Sequence, residues 1–296
     1  MRQPVFPLLL AFIAMFVLTA MDGVVKALAE RHGAFDIVAM RYGAGAVWAM
    51  ALAAVMRPAW PSPALLRIHA ARAVFSIFSA GLFFYGISKL PFAEAVAIGF
   101  LSPAATALMA RVFLGEAVRP LTLLSMAVSF AGVLVIALDR AGAGDAAGRD
   151  LLGVGAVLLS VIAYSASLVL LRARAQKDEM AVIVLLTNVF SALYLLTASV
   201  FVSDPAAVFA RDWRLFITIG GLGALGHVFL SLAYARADAA RIVAVDYTSY
   251  LWAILIGLVY FHEWPGRTAL AGAMLIILGS GLLLVGKKAS PALIED

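Results

Sequence analysis

Four ionisable side chains stand out in this chain because each is set in an otherwise apolar run: Asp22, Arg41, His227 and Asp246. Within a membrane span such a group costs about 2.5–3.5 kcal/mol on insertion scales, so its retention marks a working position. None of the four has spacing that suggests bond making or breaking. His262-Glu263-Trp264-Pro265-Gly266 opens like a zinc-binding HExxH, which needs a second histidine one helical turn on. Gly266 takes that place, and Pro265 would interrupt the required helix. There is no GxSxG, no phosphate-binding loop and no cysteine. The chemistry these residues offer is recognition, in which buried charges hold complementary groups of a small molecule, and no enzyme activity, cofactor or metal is expected.

Their neighbourhoods sharpen this. Asp22 falls about seven residues before the end of the first apolar run, and Arg41 about six residues into the second. At a rise of about 1.5 Å per residue both lie roughly 9–11 Å from one boundary, so antiparallel neighbours could bring them together. His227 sits in the small-residue stretch GGLGALGHVF, where helices approach closely. Asp246 leads the polar string Asp246-Tyr247-Thr248-Ser249-Tyr250, and helical spacing puts Asp246, Ser249 and Tyr250 on one side. Pro103, preceded by Ser102, lies mid-run and predicts a bend or hinge. Lys26 and Glu94 lie near run ends and are expected to snorkel to the interface.

Composition explains why these groups are so isolated. The 296 residues are 64% hydrophobic and only 13% charged, against about 45–50% and 25% in soluble domains. A span needs about 20 apolar residues. The expected fold is an all-α integral membrane protein of ten transmembrane helices, at 5–29, 35–56, 68–89, 92–113, 120–138, 151–171, 180–202, 214–235, 240–261 and 267–286. Alternating strand patterns are absent, and the first run outlasts a signal peptide, so it reads as a retained helix. The net charge of +5 comes from basic residues dispersed between runs, which excludes a nucleic-acid face. Their distribution favours both termini in the cytoplasm.

One register organises the chain. Residues 114–138 lie over 261–285 with Glu116 on Glu263 and Gly132 on Gly279, a separation of 147 that also sets Lys89 on Arg236, Phe100 on Tyr247 and Ser102 on Ser249. Two five-helix repeats follow, and an odd helix number inverts the second relative to the first. The expected divisions are a first repeat at 1–140, a glycine-rich linker at 141–150, the second repeat at 151–286 and a cytoplasmic tail at 287–296.

At these residues the sequence resembles the drug/metabolite transporter superfamily, in its ten-helix EamA-type branch. Glu116, Glu263, Gly132, Gly272 and Gly279 match the family pattern, as does MDGVVKALAE followed by the arginine of AMRYGAG. Ser125 stands where glycine is more typical, and His262 where the first repeat has Gly115. The resemblance implies a substrate cavity between the halves, lined by helices 1, 3, 4, 6, 8 and 9. On those helices Tyr85, Phe100, Tyr164, Tyr250 and Trp252 join Asp22, Arg41, Ser102, His227 and Asp246 as candidate substrate contacts.

The implied function is inner-membrane secondary transport by alternating access, with amino-acid export, aromatic amino acids included, as the first reading. Uptake of a larger cofactor-like metabolite and drug export are alternatives within transport. An intramembrane enzyme would need a catalytic set that is missing, and a scaffold would not need charges within its spans. The expected partners are the lipid bilayer and a small-molecule substrate; monomer and homodimer both fit. In this cysteine-free chain, single cysteines at Val118 and Pro265 should react with an impermeant maleimide from opposite membrane faces. Labelling from one face would overturn the inversion.

Overall fold

Short polar signals set the helix ends. Ser62 Oγ accepts from Leu65 N at 3.4 Å with Pro63 in the first turn, and Asp204 Oδ1 accepts from the backbone of Ala206 and Ala207 at 3.1 Å, both as N-caps do. The computed structural model describes residues 5–115, 120–141, 147–174, 180–234, 236 and 245–285. Among them the helices are α1 (Val5–Leu28), α2 (Ala34–Met56), α3 (Pro63–Lys89), α4 (Phe92–Gly99), α5 (Ser102–Leu114), α6 (Pro120–Ala141), α7 (Ala147–Arg174), α8 (Met180–Val202), α9 (Pro205–Tyr234), α10 (Thr248–Tyr260) and α11 (Arg267–Val285). No strand occurs among the described residues. Eight segments, with α4 and α5 taken together, are long and apolar enough to cross a membrane, and α10 and α11 are shorter apolar helices. Glu116, the core of the 141–150 linker and the 287–296 tail lie outside the described residues.

Several boundaries differ from expectation. The α3 helix begins at Pro63 rather than 68 and α9 at Pro205 rather than 214, because the capped starts extend each helix through polar residues. The early start of α9 is bent at Asp212, whose φ of −135° and ψ of 34° leave the helical region. The expected helix 92–113 is two helices. Phe100 N and Leu101 N bond to carbonyls three residues back, those of Ala97 and Ile98 at 3.1 Å, and Pro103 has no N–H to restore the ladder. Serine hydroxyls add hydrogen bonds at the break, Ser280 Oγ donating to Phe100 O at 2.6 Å and Ser165 Oγ to Ser102 O at 3.3 Å. Such bonding is what permits a broken helix in an apolar surrounding.

Packing follows the 147-residue register. The α1 helix lies along α9 and α3 along α7, pairs that the register exchanges. Both are antiparallel: in the first, Leu18 meets Gly226 and His32 meets Asp212; in the second, Val157 meets Gly86 and Ser167 meets Ser76. The α6 and α11 helices are each other's counterparts and also cross antiparallel. A Cβ on Gly132 would meet Gly272 O, and one on Gly279 would stand 2.9 Å from Ser125 O; the register turns each contact into the other. Ser129 donates to Ile276 O, its own counterpart, at 3.3 Å. The two repeats are therefore inverted about a two-fold that passes this crossing. Even the helix ends match, since Gly115 (φ 69°) and His262 (φ 55°) hold the same left-handed conformation at equivalent positions.

The glycines make the α6/α11 approach because backbone replaces side chain there. Gly132→Val should force Ile276 and the Gly272 carbonyl aside, costing about 1–3 kcal/mol as overpacking does. It should lower the detergent-solubilised melting temperature, whereas Gly155→Ala, with nothing within 4 Å, should not; equal melting of both variants would refute the close-packed crossing.

Candidate functional site

Three helices bring the first group together. Asp22 on α1, Arg41 on α2 and His227 on α9 share one region, with the Arg41 charge acting on both Asp22 and His227. Arg41 reaches it because α9 presents glycine: a Cβ on Gly223 would stand 3.3 Å from Arg41 Nη2 and 3.1 Å from Met21 Sδ. The guanidinium lies over the Tyr42 ring, 4.6 Å from its centroid, a cation–π contact that leaves its N–H edge unused. Nε of Arg41 is buried without a hydrogen-bond partner. Asp22 and Arg41 do meet electrostatically, yet no ion pair within 4.0 Å joins them among the described residues. His227 Nδ1 lies 2.6 Å from Gly223 O, one turn back on its own helix, which fixes the ring's direction.

The second group comes from the broken helix and its counterpart. Phe100 packs edge-on to Tyr247, its register mate, at 5.1 Å, and against Tyr250 at 6.5 Å. The two-fold thus passes between aromatic rings here. Asp246 begins the counterpart segment with Oδ1 buried and unpartnered, and the Tyr247 hydroxyl is likewise unpartnered. Asp246 and Arg72 both act on Tyr164 of α7. Tyr164 keeps 47% of its accessible surface while lying within reach of these two charges. Ser102 contributes its carbonyl to Ser165, whose hydroxyl also accepts from Thr106 Oγ1 at 3.1 Å. Pro103 sits in the first turn of α5, just past the break.

Two residues fall elsewhere. Trp252 stacks edge-on with Phe16 at 4.8 Å and tilts against Phe12 at 5.3 Å. It lines a groove of about 600 Å³ between α1 and α10, apart from the charged groups. Tyr85 lies near the end of α3 under Lys89, whose Nζ is 5.5 Å from the ring centroid.

Residue-by-residue reading overlooked Arg72, although it falls inside the expected helix 68–89. The α3 helix carries Arg72 into the bundle, where it is only 7% exposed. It donates to Ile183 O at 3.3 Å and to Thr187 Oγ1. Around it Ser76 Oγ contacts Ser167 Oγ at 3.1 Å, and Tyr42 OH donates to Ser76 O at 3.1 Å. The i, i+4 spacing of Arg72 and Ser76 was the available signal. Lys26 and Glu94 do not snorkel. Lys26 pairs with Glu263 at 2.6 Å, and Glu94, only 2% exposed, is gripped by Arg140, because partners from other helices meet them before water does.

The profile of the EamA-like transporter family matches residues 5–138 and again 151–285. The chain belongs to this family. Among relatives, the pseudopaline exporter of Pseudomonas aeruginosa is 27% identical over 288 residues, covering 95% of this chain and 96% of the exporter. A riboflavin transporter of Rhizobium johnstonii is 32% identical over 219 residues, covering 72% and 68%. A chain in a solved crystal structure shares the fold at a TM-score of 0.64 and 18% identity, over 95% of this chain and 98% of that one. The EamA-like chain is thus a multi-pass membrane transporter. No cluster of three or more metal-ligating side chains occurs among its described residues.

A closed buried ion pair leaves about 3–5 kcal/mol of uncompensated charge when one partner is removed. The separated Asp22/Arg41 geometry predicts a smaller coupling than a closed pair would show. Thermal melts of Asp22→Asn, Arg41→Gln and the double variant measure it; losses that nearly add support the separated geometry, and strong rescue in the double variant would contradict it.

Proposed function

We propose that this transporter crosses the inner membrane ten times with both termini in the cytoplasm and exports small zwitterionic metabolites of the amino-acid class by alternating access. The observation that carries this reading is a pair of buried, unpartnered polar atoms of opposite demand: the Arg41 Nε donor and the Asp246 Oδ1 acceptor. Buried polar atoms normally have partners. A substrate carboxylate on Arg41 and a substrate ammonium on Asp246 or Asp22 would satisfy them, while Phe100, Tyr247 and Tyr250 offer an apolar, aromatic wall. His227 feels the Arg41 charge and Tyr164 the Asp246 charge, which supports their place in the same reading. Ser102 and Pro103 sit at the helix break, where a pivot would change access.

The pseudopaline exporter that matches nearly the whole chain agrees with export. A second reading, uptake of a larger aromatic metabolite, draws on the riboflavin transporter match and on the unpartnered Tyr247 hydroxyl and Trp252 Nε1.

Purified protein in cysteine-free proteoliposomes should exchange labelled amino acids, the aromatic ones included, and Arg41→Gln should abolish exchange. Pro103→Ala should slow it while leaving insertion intact. Exchange of riboflavin but of no amino acid would replace the first reading with the second.

A further inference from the structure

The charged contacts between the two repeats gather at one end of the molecule. Lys26, near the C-terminus of α1, pairs with Glu263 beyond α10 at 2.6 Å and donates to Leu90 O at 2.6 Å. The other oxygen of Glu263 accepts from Phe92 N at 2.7 Å. Three segments are tied in one knot: the end of α1, the α3–α4 turn and the α10–α11 segment. Five residues on from Lys26, Arg31 and His32 reach Asp212 of α9 at 3.1 and 2.8 Å, again across the repeat boundary. Beside the knot Glu94 is held by Arg140, whose Nε donates at 2.9 Å. Phe261 closes its apolar side, with Lys26 Nζ 5.3 Å from the ring centroid. Glu263 is aimed by the left-handed turn at His262, where Glu263 N returns to Gly257 O at 2.9 Å.

An inverted repeat would reproduce this knot at the other end only if the counterpart residues could form it. The 147-residue register sets Ala173 opposite Lys26, Leu65 opposite Asp212, Arg241 opposite Glu94 and Lys287 opposite Arg140. Ala173 and Leu65 carry no charge and Arg241 and Lys287 share one sign, while Glu116 stands opposite Glu263 with no lysine opposite Lys26. The register therefore does not carry the Lys26–Glu263 and Glu94–Arg140 pairs over to the other end, and among the described residues the ion pairs lie where α1 and α3 finish.

We propose that Lys26, Glu263, Asp212 and their contacts are the gate of the transport cycle on the face where α1 and α3 end, a lock with no counterpart among the described residues of the opposite face. The two access states are then unequal in energy. The empty transporter rests closed at the locked face, and opening that face requires Lys26 and Glu263 to part. In the ten-crossing orientation proposed above, the locked face is periplasmic, so the carrier waits for cargo from the cytoplasm. The lock rests on that alternating-access reading but not on the identity of the substrate.

Two single-cysteine reporters in the otherwise cysteine-free chain test it without any substrate. Ala97→Cys lies buried in α4 beneath the knot, and Tyr164→Cys lies half-exposed on α7, toward the end away from the knot. With an impermeant maleimide and sealed proteoliposomes, Lys26→Met should speed labelling of the Ala97 reporter about tenfold, the shift that ~1.4 kcal/mol of lost pairing supplies. Labelling of the Tyr164 reporter should slow. Glu263→Gln, which keeps the Phe92 contact and loses only the charge, should act likewise, and Lys26→Arg should stay near the parent rates. Opposite changes at the two reporters are the signature of a shifted access equilibrium. Acceleration at both would mean a loosened fold and would overturn the lock, as would no change at either. If the Ala97 reporter reacts from the cytoplasmic compartment, the lock stands and the proposed topology is reversed. No substrate enters the assay, so a failed lock leaves the amino-acid reading to its own exchange experiment.

Discussion

The antiparallel crossing of α6 and α11 is the contact on which the rest of the architecture turns. Hydrocarbon gives two apolar helices no hydrophobic reason to associate, so close packing and interhelical hydrogen bonds must hold them. Gly132, Gly272 and Gly279 remove the side chains that would keep the backbones apart, and Ser129 adds a hydrogen bond at the crossing itself. Because the same register exchanges these contacts, the crossing defines the relation of the two halves. The α1/α9 and α3/α7 pairs then obey that relation, and the aromatic pair Phe100–Tyr247 marks where it passes the broken helices.

Against that symmetric frame the polar groups divide by how well they are satisfied. At the end of the bundle where α1 and α3 finish, Lys26, Glu263, Glu94, Arg140 and Asp212 all find partners. Deeper in, Arg41 and Asp246 each keep a buried atom without one. Paired charges in low dielectric hold segments together, whereas an unpaired donor or acceptor there is stable only in a surrounding ready to accept another group. The contrast separates groups that hold the helices from groups suited to hold cargo. A helix that breaks at Phe100–Leu101, with a serine hydroxyl bonded to the Phe100 carbonyl, adds a place where the frame is not rigidly laddered.

Glycine spacing was the most informative local feature of the sequence because it carries a backbone requirement. Gly115 and His262 show its limits. They differ in type, yet both take the left-handed conformation, since the helix end demands it and histidine there accepts strain of about 1–2 kcal/mol. Ser125, departing from glycine at the counterpart of Gly272, fits because its backbone rather than its side chain receives Gly279.

The all-helical class, the repeat, its 147-residue register and the isolation of Asp22, Arg41, His227 and Asp246 followed from the sequence alone. Each is a property of hydropathy and spacing along one strand of chain, where an apolar environment forces helices and makes every charge conspicuous. Helix starts were less legible, since the caps at Ser62 and Asp204 extend α3 and α9 through polar residues that hydropathy assigns to loops. Partner choice was decided only by tertiary structure. Lys26 lies 237 positions from Glu263 by number and 2.6 Å from it in space, and no local pattern distinguishes such a lysine from one that reaches water. Arg72 became an interior residue, and Trp252 an edge residue, for the same reason: a side chain's environment is set by helices from the other repeat, which the sequence places in order but not in contact.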